Sequence, residues 1–312
     1  MEVYMKKVVL GLSIALLAGA ALSAPKPAPI QGTCQLIAMT NFTSFAGYGA
    51  TSRSFSCSYQ TSKTAPAGAT ATLASPEGLG WTSPTPLTIQ NLQGETGSVN
   101  SEVIHYWNSA PTIPKGQPEV LKTQHDPKQK TTWKGGSAGN LDYMQIKYVK
   151  PGQMQLDETS KSPGAYRLKI SYVGEIGWDL TEKQQFMEPL QATKPETPAS
   201  VKTSDAIEVT WKNVPNVVGY TVYAAGKNAA GKTCYWENAY QAQTAWYTMG
   251  AAGALKAGKL VPPDVCRVQI PAAIFTGPVS LSITGYSPEC KGTGPLSPWA
   301  WAQTMTTMQL GQ

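Results

Sequence analysis

Hydrophobic and polar residues alternate with period two in short blocks, which puts one face of each block in a core and the other in water. The clearest block is Ala165 to Val173. Tyr166, Leu168, Ile170 and Tyr172 share one face, and Arg167, Lys169 and Ser171 the other. Its entry, Ser162-Pro163-Gly164, is turn chemistry. Leu141 to Val149 and Gln153 to Leu156 read as two more strands, separated by Lys150-Pro151-Gly152. Cys34 to Thr40 and Ser52 to Tyr59 are strand-like as well. Ser, Gly and Pro interrupt weaker candidates at 68–73, 87–91, 102–107 and 118–123. Farther along, Ile207, Val209 and Trp211 alternate with Glu208 and Thr210, and Tyr220 and Val222 face inward from the 219–225 block. No amphipathic helical period stands out beyond residue 24. Short strands divided by Pro/Gly turns predict an all-β sandwich architecture.

At 312 residues the chain is long enough for two domains, and a Pro/Thr-rich stretch at 188–200 (EPLQATKPETPAS) marks the expected linker. The expected organisation is a signal peptide over 1–23, a Pro-rich leader over 24–32, a β-sandwich over 33–187, the linker, and a second sandwich over 201–312. Lys6 and Lys7 precede an apolar run from Val8 to Leu22, which ends in small residues before Pro25. A basic start, a short apolar core and a small-residue cleavage site are the signature of secretion. Cleavage after Ser23 fits best, and Met5 competes with Met1 as the start. The run is short for a bilayer span of about 20 residues, and no later segment is apolar enough to serve as one. The mature chain is therefore expected to have no transmembrane segment and to reside in the cell envelope or outside the cell.

The five cysteines (Cys34, Cys57, Cys234, Cys266 and Cys290) form no CxxC and have no histidine at metal-ligand spacing. In an oxidising compartment thiols usually pair. A hairpin folded about Phe45 brings Cys34 opposite Cys57, a disulfide of about 3 kcal/mol in the chain-entropy picture.

IEVTWKNVPNVVGYTVYAAG resembles strands B and C of a fibronectin type III domain: a strand ending in Trp211, a Pro-containing loop, then Gly219-Tyr220-x-Val222-Tyr223. PETPASV resembles its Pro-rich entry, and VSLSITGYSPECKGTGPLSPW, from Val279 to Trp299, its strand F and the turn into strand G. The resemblance spans roughly 195–305. It implies a fibronectin type III/immunoglobulin-like sandwich, the architecture of spacers and binding modules. It departs from the family between Gly226 and Asp264, where the chain is longer and carries its own Cys234. Placed on that architecture, Cys266 and Cys290 fall at one end of the sandwich and are favoured as partners. Cys234 is then the odd thiol, and Cys234 with Cys266 stays open as the alternative.

Chemistry-bearing residues are sparse. Of two histidines, His105 lies in a strand-like Val-Ile-His-Tyr-Trp run and His125 in a polar, basic, Gly-rich stretch at 123–140. Neither has a nucleophile or ligand set beside it. Asp157-Glu158, and Asp179 with Glu182, are the only candidates for paired-carboxylate glycoside chemistry. No catalytic, metal or cofactor site is therefore expected. The net charge of +6 becomes +5 without the signal peptide, and with only three arginines it does not point to nucleic acid. Tyr235, Trp236, Tyr240, Trp246 and Tyr247 crowd the atypical segment, and amphipathic rings on loops stack on sugars or anchor proteins. The expected function is an exported, non-enzymatic binding or structural module of the spacer or adhesion type, held to a protein or polysaccharide of the cell envelope. The alternatives are an accessory glycan-processing or glycan-binding protein, and a subunit of a larger envelope assembly joined through Cys234.

Overall fold

The structure, a computed structural model, describes residues 32–45, 48–61, 65–76, 79, 83–87, 101–123, 142–144 and 160–311. The signal peptide, His125, most of the 123–140 stretch, Asp157, Glu158 and the predicted strand at 153–156 lie outside them. The protein is mostly β, with 49% strand and one α-helix among the described residues.

The strands are β1 (Gly32–Phe45), β2 (Tyr48–Thr61), β3 (Ala71–Ala74), β4 (Thr85–Leu87), β5 (Ser101–Trp107), β6 (Glu119–Thr123), β7 (Asp142–Met144), β8 (Gly164–Ile170) and β9 (Gly174–Leu180). They continue as β10 (Ala192–Lys194), β11 (Ile207–Trp211), β12 (Gly219–Lys227), β13 (Thr233–Glu237), β14 (Arg267–Ile270), β15 (Val279–Tyr286), β16 (Cys290–Lys291) and β17 (Ser297–Leu310). Helix α1 spans Ala242–Lys256.

Three sheets result. The large one runs β6-β5-β13-β12-β15-β17-β1-β2-β7, with β16 also on β17. The others are β10-β11-β14 and β4-β3-β8-β9. Alternation decides which side chains meet. In β8, Tyr166, Leu168 and Ile170 are buried while Lys169 is exposed, and β9 answers with Ile176, Trp178 and Leu180. In β11, Ile207, Val209 and Trp211 are buried, and the Trp211 ring meets Tyr220 of β12 edge-on at 5.2 Å. Burial is the main cause that pushes the Tyr220 phenol up to about 12.

Strands from both sides of the 188–200 segment are hydrogen-bonded neighbours. β1 pairs in parallel with β17 from Thr33↔Ser297 to Thr43↔Thr307, and β5 pairs in parallel with β13. The chain between them is pinned beneath the sheet. Thr40 and Thr304 sit side by side in that register, both fully buried. Thr40 donates to the Met187 carbonyl at 3.0 Å, and Thr304 donates to the Glu188 carbonyl at 2.9 Å while accepting the Leu190 N–H at 3.1 Å.

Helix α1 is the element that period-based reading does not find. Its sequence, AQTAWYTMGAAGALK, is rich in alanine but has no apolar stripe, and Gly250 breaks it with φ 72° and ψ 167°. The Glu289 carboxylate accepts the Ala251 N–H just beyond the break, so the second half has its own cap. Ala245, Ala251 and Ala254 cover the sheet face opposite the sandwich core, where they meet Tyr286 and Trp301. That cover ends before Trp299, which is exposed and lies under the Lys291 ammonium, so the two neighbouring tryptophans have different environments.

The expected disulfides are absent: all five cysteines are free thiols. Cys34 faces Tyr59, and Cys57 faces Leu36, so the two thiols are diagonal neighbours on one buried face rather than opposed partners. They contact each other, and burial pushes the Cys34 thiol well up. Cys266 donates to the Pro263 carbonyl at 3.0 Å, whereas Cys290 lies 3.4 Å from the Asp179 carbonyl. Cys234 is fully buried, its thiol directed at the Gly226 and Ile274 carbonyls at 3.7 and 3.6 Å. A thiol there is out of reach of a second chain.

Because Thr304 serves two partners in a dry site, Thr304→Val should strand the Leu190 N–H and destabilise the fold by about 1–3 kcal/mol. Urea unfolding monitored by tryptophan fluorescence would measure it. An unchanged midpoint would mean that the 187–190 segment does not brace the sheet.

Candidate functional site

β5 and β13 come from distant parts of the chain, and their parallel register sets Tyr235 beside His105 and Glu237 beside Trp107. One face of these strands points into the core. There Trp236 is fully buried and its indole N–H donates to the Asn108 carbonyl at 2.9 Å. The other face gathers rings. His105 lies 4.6 Å from Tyr235, 5.3 Å from Trp107 and 5.6 Å from Tyr240, ring centre to ring centre. Trp107 meets Tyr240 edge-on at 5.0 Å, and Tyr223 of β12 extends the row at 5.7 Å from Tyr235. His105 itself is buried, while Trp107, Tyr223, Tyr235 and Tyr240 are half-buried.

Beneath the rings is a buried polar pair. His105 Nε2 lies 2.8 Å from Glu237 Oε1, with both side chains almost wholly covered. The imidazole is not aligned on the carboxylate for a regular hydrogen bond, so the contact is one of close approach. The same carboxylate oxygen accepts the Gln241 N–H at 2.8 Å, which holds the left-handed turn (φ 57°) entering α1. That turn positions Tyr240. Its hydroxyl bonds the Glu119 carboxylate from β6, its carbonyl accepts Lys259 Nζ at 2.9 Å, and the same ammonium stands 5.8 Å over its ring. Trp107 is clamped through its backbone, its N–H donating to Gln117 Oε1 at 2.9 Å and its carbonyl accepting Gln117 Nε2 at 2.8 Å.

Of the five aromatic residues expected at a binding surface, Tyr235 and Tyr240 join this belt and Trp236 belongs to the core. Trp246 and Tyr247 lie on α1, but their side chains fall outside the described ones. His105, Trp107, Tyr223, Glu119 and Glu237 complete the belt and escape sequence reading. The alternation of His105 and Trp107 was visible, but nothing local announces that β13 would lie beside them.

Asp179 is engaged with Arg167 at 2.8 Å on an exposed face, and Glu182 sits in the first turn of a 3₁₀ segment (Glu182–Gln184). Among the described residues no group of three or more His, Cys, Asp or Glu side chains could hold a metal ion, and no helix is long and apolar enough to cross a membrane.

Fold and site together define an all-β, sandwich-like protein that carries an aromatic belt at one end of its largest sheet. Compared with known proteins, the chain matches no family model and no curated sequence.

Two consequences are measurable. His105→Leu leaves the buried Glu237 side chain without its polar neighbour at 2.8 Å and should cost about 1–3 kcal/mol. Adding Glu237→Gln should recover most of that loss, because the amide oxygen still accepts from Gln241. Equal instability of the single and double variants in urea would show that the two side chains are not coupled. The second concerns alkali. Tyr223 and Tyr235 hold their protons above the ordinary phenol value of about 10, mainly through burial, and Tyr240 does so through its bond to Glu119. Stability from these groups is present below about pH 10 and lost as pH rises through their folded-state values. The urea midpoint should therefore fall above pH 10, and a flat midpoint would mean that the phenols are fully solvated.

Proposed function

We propose that the protein is an exported, non-enzymatic binding or structural module of the cell envelope or extracellular space, held to a polysaccharide or protein there by the aromatic belt. The observation that carries this reading is the belt itself: Trp107, Tyr223, Tyr235 and Tyr240 are half-buried, backed by a rigid sheet, and positioned by bonds that leave part of each ring uncovered. Rings held this way bind planar apolar surfaces at low entropic cost, as sugar stacking requires. Carboxylate-based glycan processing receives less support, since Asp179 is engaged by Arg167.

A fibronectin type III-like C-terminal part agrees with the pairing of β10, β11 and β14 in one sheet and of β13, β12, β15 and β17 in the other. Its spacer role would then be extended by the N-terminal strands joined to it. Export is supported by the basic-then-apolar start of the chain and its small-residue cleavage site.

A glycan array and a pull-down with insoluble cell-wall polysaccharide test the reading. Wild-type protein should be retained without turnover, and Trp107→Ala combined with Tyr240→Ala should weaken retention by about tenfold, the equivalent of one good ring contact. Retention unaffected by both substitutions would remove the belt as the binding surface.

A further inference from the structure

The strand registers carry the aromatic belt onward as two rows that cross the large sheet on its outward face. One row runs through Trp107, Glu237, Tyr223, Ser282 and Thr307, each residue opposite the next on the neighbouring strand. Beside it runs a second, through His105, Tyr235, Ala225, Ser280 and Gln309. Opposite residues in a sheet share a face, so the polar side chains of β15 and β17 stand on the same surface as the rings. Burial agrees with this. Leu281, Thr306 and Met308, which alternate with them, are buried, whereas Ser280 and Gln309 are exposed and Ser282 and Thr307 half-buried. Helix α1 covers the same face farther along these strands, at Tyr286 and Trp301.

Beyond the tyrosines the two rows carry no charge. The side chains of Ser280, Ser282, Thr307 and Gln309 form no hydrogen bond with another described residue, so each keeps its donors and acceptors for an incoming group. Thr304, on the opposite face of β17, commits its hydroxyl to the backbone of Glu188 and Leu190. With neighbouring strands ~4.8 Å apart, the row from Trp107 on β5 to Thr307 on β17 crosses four spacings and is roughly 19 Å long. Rings occupy its first half and uncommitted hydroxyls its second.

We infer that this strip lengthens the belt into a site for an extended, neutral polysaccharide laid across the strands. The belt rings stack on its first sugars, and Ser282, Thr307 and Gln309 bond the hydroxyls of the later ones. The inference rests on the belt as the binding surface and adds to it a preference for length and for lack of charge. Each half of the strip answers a part of a sugar: ring faces meet aromatic faces, and hydroxyls meet neutral groups that both donate and accept. A uronate or phosphate polymer finds no cation in the second half, where its charges would lose water without gaining a partner. A protein partner finds little apolar area there to form the core of an interface.

Isothermal titration calorimetry on the full-length protein tests the inference with β-1,4-linked glucose and N-acetylglucosamine oligomers, each as disaccharide and hexasaccharide, and with a galacturonate hexasaccharide as the charged control. A neutral hexasaccharide should bind about tenfold more tightly than its disaccharide, because only the longer chain reaches β17, and the galacturonate should bind no better than the neutral disaccharide. Thr307→Lys should remove most of the hexasaccharide's advantage. Gln309→Lys should do the same at a fully exposed position, where the replacement does not threaten the fold, and circular dichroism establishes that each variant is folded. A hexasaccharide no tighter than its disaccharide, a galacturonate that binds as well as the neutral chains, or folded variants that bind like the wild type would overturn the strip and leave the belt standing. Absence of binding by every neutral oligomer would overturn both.

Discussion

The parallel pairing of β1 with β17 is the constraint on which the rest of the structure depends. It places residues 33–43 against residues 297–307, so the first and last described strands become neighbours over eleven register positions. A parallel pair cannot be closed by a tight turn and needs a long crossover. Here the crossover is nearly the whole described chain. The inner edge of the β1–β2 hairpin is therefore continuous with the sheet built by β12, β15 and β17.

Beneath this seam the buried threonines act as fasteners. A hydroxyl removed from water must find a partner, and Thr40 and Thr304 find theirs in the backbone of 187–190. The connecting segment is drawn into the interior, and Leu190 is fully buried. Farther along, Gln184 Nε2 donates to the Pro288 carbonyl at 2.9 Å, and Gly177 and Thr293 exchange backbone bonds at 2.9 and 2.8 Å. The four-stranded sheet is thereby tied to the loop that leads into β17. Composition marked 188–200 as a linker because Pro and Thr are common there, and composition does not register such bonds.

The second parallel seam, between β5 and β13, does for the candidate site what the first does for the fold. His105 and Glu237 are 132 positions apart, yet their side chains lie 2.8 Å from each other. The pair beneath the rings and the turn at Gln241 hold Tyr240 over His105, and Glu119 reaches the Tyr240 hydroxyl from the next strand. Four strands (β5, β6, β12 and β13) and the turn before α1 are needed for one belt. Removed from this setting, each contributes at most two rings of the belt from an ordinary strand or turn.

How much was legible follows from how far each signal reaches. The faces of β8 and β11 could be read directly, since Tyr166, Leu168 and Ile170, or Ile207, Val209 and Trp211, declare themselves by period two within a few residues. The all-β class rests on the same local rule. Helix α1 was not legible, because alanines pack on a sheet without making a stripe and Gly250 interrupts the run. The strand position of Cys34 and Cys57 could be anticipated, but not the two-residue offset that makes them diagonal, since register depends on the whole hairpin. Residue order by itself determined which side chains turn inward along each strand, because that choice depends on neighbours two positions away. Which strands lie side by side, and therefore which histidine meets which glutamate, was decided only in the tertiary structure, because a strand edge bonds to any other strand and only the packing of the whole chain selects one.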